Sequence, residues 1–111
     1  MDREAELRRL LAVERDQVSL IEVAIVNWSS DSMKSVVIAT PLRARGIATA
    51  TYFSGKGKKQ MEKAKRDDPD FFLIIRDDGM QLKDAVYETF TPLTDENYVQ
   101  EVYEKVVADW S

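Results

Sequence analysis

The sequence predicts an α+β fold: a small, mostly antiparallel β-barrel of the split-barrel type with flanking helices. Three observations lead there. Runs rich in β-branched residues and of strand length recur between short polar turns, as in SLIEVAIVNW (19–28) and KSVVIATPL (34–42). Apolar residues at helical spacing mark both ends of the chain. With 111 residues and 44% hydrophobic content, the chain can close one core without disulfides or a metal. Short connections favour antiparallel neighbours, and five strands joined this way can curl into a barrel that hides its edges. The expected order is α-β-β-β-α-β-β-α over a single domain, 1–111.

Each element has a local reason. Residues 2–13 predict a helix, with Asp2 as cap, Glu4 and Glu6 at the positive end of the dipole, and a stripe of Leu7, Leu10 and Leu11. Strand 19–28 ends at the polar SSDS turn (29–32), where short side chains compete for backbone hydrogen bonds. The second strand, 34–42, carries Pro41, which belongs at a sheet edge or bulge. RARG turns the chain into a third strand, IATATYF (47–53). A short helix over 57–66 stops before Pro69. DFFLIIRDDG gives a fourth strand and KDAVYETF a fifth. Thr94 then caps a last helix with a stripe of Val99, Val102, Tyr103, Val106, Val107 and Trp110.

Composition excludes several chemistries. There is no cysteine, so no disulfide, thiol nucleophile or cysteine-ligated zinc; there is no histidine, so no Ser-His or Cys-His relay. The charged start, MDREAELRRLL, is not a signal peptide, and no apolar run approaches the ~20 residues that span a bilayer. A cytoplasmic protein without a membrane partner is expected. The net charge of −4 argues against a dedicated nucleic-acid coat, so nucleic acid is not the expected partner.

Within this acidic chain, six of the sixteen basic residues fall between Lys56 and Arg66, opposed only by Glu62. GKGKK (55–59) sits between a strand and a helix. Glycines there let backbone N–H groups approach an anion, and the helix start adds partial positive charge. The spacing is neither a Walker A motif nor a dinucleotide fingerprint. A solvated amphipathic helix with Met61 and Ala64 inward explains the same residues. The acidic groups Asp67-Asp68-Asp70 and Asp77-Asp78 lack calcium-loop spacing and read as solvated turns. Alternation sends Glu22 and Glu88 to the solvent face, and Trp28 and Trp110 suit core or interface packing.

The order of elements resembles the pyridoxamine 5'-phosphate oxidase-like family, the FMN-binding split β-barrels. VAIVNWSSDSMKSVVIATPL is similar to that family's first two strands and their polar turn. TYFSGKGKKQMEKAKRDDP is similar to its third strand, basic turn and short helix, and DAVYETFTPLTDENYVQEVYEKV to its fifth strand and following helix. The resemblance implies FMN as cofactor at a dimer interface, possible flavin-dependent oxidoreductase activity, and phosphate contacts at Ser54, Lys58 and Lys59. Lys34 stands where the family has an arginine. A homodimer is also expected because a five-strand barrel leaves an edge for a second copy to cover. No catalytic residue is identified. The alternative is a non-enzymatic adaptor whose basic 56–66 helix contacts an acidic partner or nucleic acid.

Overall fold

The computed structural model describes residues 21–52 and 57–110, except for the side chains of 109 and 110. The helix expected over 2–13 lies outside these residues. Eight elements follow in order: β1 (Val23–Asn27), α1 (Lys34–Ala44), β2 (Thr49–Thr51), α2 (Gly57–Arg66), β3 (Phe71–Arg76), β4 (Gly79–Asp84), β5 (Phe90–Leu93) and α3 (Tyr98–Trp110). The fold is α+β; among the described residues, three helices pack on a five-stranded mixed sheet of order β2-β1-β3-β4-β5.

The expected barrel is corrected on two counts. The sheet is open, with β2 and β5 at its edges, and it is not mostly antiparallel. β1 pairs parallel with both β2 and β3, while β3–β4 and β4–β5 are antiparallel. The reason lies in residues 34–42, which form a helix rather than a second strand. Helices α1 and α2 are therefore crossovers that return the chain to start the next parallel strand, as parallel pairing requires.

The two helices lie on opposite faces. Val23, Ile25, Phe71, Leu73 and Ile75 join Ile38, Ala39 and Leu42 of α1 and Val102 and Val106 of α3 in the larger core. Ala24, Val26, Phe72 and Ile74 meet Ala64 and the half-buried Met61 of α2 on the other face. This explains the continuous apolar runs of β1 and β3, since strands covered on both faces lose the alternation of half-exposed ones.

The antiparallel half departs from expectation in detail. Arg76 pairs with Gly79 across a two-residue Asp77–Asp78 turn, so a hairpin follows β3 directly. The fifth strand expected over 84–91 is instead the end of β4, a turn, and the start of β5. Asp84 Oδ1 accepts the N–H groups of Val86 and Tyr87, which breaks the strand there. Glu88 sits in that turn at φ 56°. Glu22 is buried, against expectation, and its carboxylate accepts the Ala48 N–H at 2.9 Å. Before α3, Thr94 Oγ1 accepts the Asn97 N–H and Asn97 Oδ1 accepts the Thr94 N–H, a reciprocal cap. No helix among the described residues is long and apolar enough to cross a membrane.

Candidate functional site

A cleft of about 530 Å³ opens at the carboxyl ends of the parallel strands. Its position follows from topology. From the end of β1 the chain leaves along one face towards β2, and α2 returns over the opposite face to β3, so no connection fills the space beyond the strand ends. Open α/β sheets bind ligands at such switch points. The walls come from the 27–32 loop, Ser35 at the start of α1, Tyr52 after β2, the first turn of α2, and Asp77.

Short polar residues give the loop its shape. Asn27 Oδ1 accepts the Ser29 N–H and hydroxyl, while its amide donates to Asp31 O at 2.8 Å. Asp31 Oδ1 accepts the Met33 N–H and leads the chain into α1. The loop is tied across the cleft mouth to the β3–β4 turn, where Asp77 Oδ1 accepts the Ser30 N–H at 2.9 Å and its hydroxyl at 3.0 Å. These bonds hold the Asp77 carboxyl below its ordinary range, the N–H contributing most and Lys34 the least.

On the α2 side, Gln60 is buried and its Oε1 accepts the Asn27 N–H at 2.9 Å, anchoring the helix to the end of β1. Trp28 is 41% exposed and lies against the start of α2. A Cβ on Gly57 would fall 2.2 Å from Trp28 Cδ2, so only glycine permits this approach. The Arg76 guanidinium stands 5.5 Å from the centroid of the Trp28 ring. Tyr52 donates its hydroxyl to Asp67, joining β2 to the far end of α2. Burial, then this bond and the Asp67 charge, push the Tyr52 hydroxyl well above the ordinary tyrosine value.

Of the four sequence-predicted contacts, the three described ones, Lys34, Lys58 and Lys59, do not line one site. Lys58 lines the cleft. Lys59 is exposed on α2, outside the cleft lining. Lys34 opens α1 and lines a second groove on the opposite face, beside Val37, Pro41, Met80 and Tyr98. Ser54 lies outside the described residues. The sequence reading missed Asn27, Ser29, Ser30, Ser35 and Gln60. NWSSDS carried a signal for the loop, because clustered Asn, Asp and Ser predict local side-chain-to-backbone bonds. Among the described residues, no group of three or more carboxylates converges to hold a metal.

No model of a known protein family matches the sequence, and neither does any curated protein sequence. Solved structures do match. The apo histidyl-tRNA synthetase of S. aureus is similar with a TM-score of 0.65 at 24% identity, over 86% of this chain and 31% of its own. Histidyl-tRNA synthetase from Nostoc sp. PCC 7120 gives 0.67 at 20% identity, over 79% and 23%. The RNA binding domain of threonyl-tRNA synthetase from Cryptosporidium parvum Iowa II gives 0.62 at 12%, over 80% and 23%. The chain thus spans under a third of the length of these structures. At such identities the likeness is one of fold. It overturns the pyridoxamine-phosphate-oxidase resemblance: this is the fold of a domain found in tRNA synthetases, and the FMN, flavoprotein and oxidoreductase expectations that rested on a split barrel lose their basis.

Proposed function

We propose that the domain binds RNA through the cleft at the carboxyl ends of β1, β2 and β3. The observation that carries this reading is the placement of α2. The helix presents Lys58, Lys59, Lys63, Lys65 and Arg66 on its exposed surface and begins at the cleft wall. A local basic track beside a polar cleft supplies phosphate attraction that the net charge of −4 conceals. Trp28 with the adjacent Arg76 guanidinium adds a surface on which an unstacked base can lie. The likeness to a threonyl-tRNA synthetase RNA binding domain supports the same class of ligand. It also replaces the expectation that nucleic acid is not a partner, and it suits a cytoplasmic place. The reading concerns binding alone and does not extend to the chemistry of whole synthetases.

The test is fluorescence anisotropy with labelled single-stranded RNA and with transfer RNA, each at low and moderate salt. Binding should weaken as salt rises, since phosphate contacts release counterions. Absence of any anisotropy change at low salt, up to protein concentrations on the order of the 10⁻⁴ M limit of non-specific binding, would sink the proposal.

A further inference from the structure

Helix α1 begins at the cleft with donors that meet no acceptor among the described residues. Its cap residue, Met33, makes no side-chain hydrogen bond. The Lys34 and Val37 N–H groups reach the Asp31 and Met33 carbonyls. Between them, the Ser35 and Val36 N–H groups meet no acceptor among the described residues, as expected in a first helical turn without a cap. Ser35 is a cleft-lining residue only 1% exposed, and its hydroxyl has no hydrogen-bond partner.

The hydroxyl is the independent observation. Alanine at this position would be a better helix former and would leave no polar atom desolvated. For folding alone, serine is the worse choice. A ligand accepting from the hydroxyl removes the disadvantage. It must be an acceptor, because the neighbouring unused groups are N–H donors, and an anionic one, because the helix start and Lys58 both favour negative charge.

We infer that the α1 end of the cleft is a phosphate subsite, in which one phosphate group accepts hydrogen bonds from the Ser35 hydroxyl and the Ser35 and Val36 N–H groups, with Lys58 supplying positive charge. Asp77 opposes an anion from the rim. Its Oδ1 is already engaged by the Ser30 N–H and hydroxyl, and Lys34 lies close enough to offset part of its field. This subsite rests on the RNA reading insofar as the phosphate is a link of an RNA backbone; a free phosphate monoester offers the same chemistry.

The experiment is a titration of the ¹⁵N-labelled protein with inorganic phosphate at constant ionic strength, then with single-stranded RNA, repeated on Ser35→Ala. Phosphate should shift the Ser35 and Val36 amides saturably. Ser35→Ala should weaken phosphate binding roughly tenfold, the loss of one hydrogen bond to a charged group, while Tm holds or rises. Unmoved amides, or undiminished phosphate binding by the variant, overturn the subsite. A fall in Tm together with weaker binding also overturns it, since Ser35 is then structural. RNA binding with Ser35 and Val36 unmoved removes the subsite and leaves the RNA reading intact. Saturable phosphate shifts without RNA binding remove the RNA reading and assign the subsite to a free phosphate monoester.

Discussion

Helices α1 and α2 make the same kind of connection, each carrying the chain from one parallel strand to the next, and both begin at the cleft. Their loads differ. α1 buries Ile38, Ala39 and Leu42 in the larger core, where α3 packs as well. α2 buries Gly57, Gln60 and Ala64, and its largest apolar side chain, Met61, is only half-buried. Fully burying a leucine contributes about 1.5–3 kcal/mol, so α1 is held largely by apolar contact. α2 is held by a few polar ties at its ends: Gln60 to the Asn27 N–H at the cleft, and Tyr52 to Asp67 at the far end. An element so lightly packed can devote its outer surface to cations.

The two helices should differ most in what their buried residues contribute to stability. Leu42→Ala, at a fully buried site, should cost roughly 2–5 kcal/mol of unfolding free energy through lost transfer and a residual cavity. Ala64→Gly in α2 should cost only about 1–2 kcal/mol, from helix propensity and one buried methyl. Urea denaturation of both variants decides the matter. Equal losses would mean that α2 contributes to the fold as α1 does, and that its basic face is incidental.

The next effect reverses the roles. Lys58→Glu with Lys59→Glu should lower RNA affinity by on the order of 10- to 100-fold, since two attractive charges become repulsive beside the phosphate track. Stability should hold or rise, because lysines at a helix start each cost roughly 0.3–1 kcal/mol against the dipole and glutamates there are favourable. Anisotropy and thermal melting on one preparation check both signs. RNA affinity unchanged in a folded variant would remove α2 from the interface.

The same pair of helices shows what could be read in advance. α2 was legible because its charges and its few apolar residues alternate with helical period. α1 was not. Its buried positions, Ser35, Ile38, Ala39 and Leu42, also follow that period, but Val36 and Val37 are exposed and fill the polar face with β-branched residues. With Pro41 added, the segment reads as an edge strand. That one substitution of strand for helix turned a parallel unit into an apparent antiparallel one, and it also produced the likeness to a split barrel. β1 and β3 were legible as strands, though their burial on both faces was the unread sign of parallel pairing. The hairpin after β3 turns on Asp77-Asp78, polar residues that read as a solvated turn in the sequence, with Gly79 already paired to Arg76. At the cleft, Lys58 was legible from charge and glycine placement. Ser35 was not, because an unused hydroxyl becomes visible only once its surroundings are known.

The smallest expected effect concerns the two ties that frame the cleft mouth. On the α2 side the tie is an amide, Gln60 Oε1 accepting the Asn27 N–H, and it does not titrate. On the α1 side it is a carboxylate, Asp77 accepting from Ser30. The Ser30 N–H, then its hydroxyl, hold the folded Asp77 carboxyl below its ordinary value. A folded value below the unfolded one means that the contribution is present above the unfolded pKa and is lost as pH falls through the folded one. Asp77 is solvent-exposed, so the thermodynamic effect is small and the local one is what can be measured. In a ¹⁵N titration from pH 7 downward, the Ser30 amide should stay fixed to about pH 5 and then move with a midpoint below the ~3.9 of a free aspartate. The Asn27 amide, bonded to Gln60, should not follow. A Ser30 midpoint at or above the free value would show that the carboxylate does not hold the loop. Joint movement of Asn27 and Ser30 would show instead that the two walls respond as one body, and the contrast between a titrating and a non-titrating side of the cleft would fail.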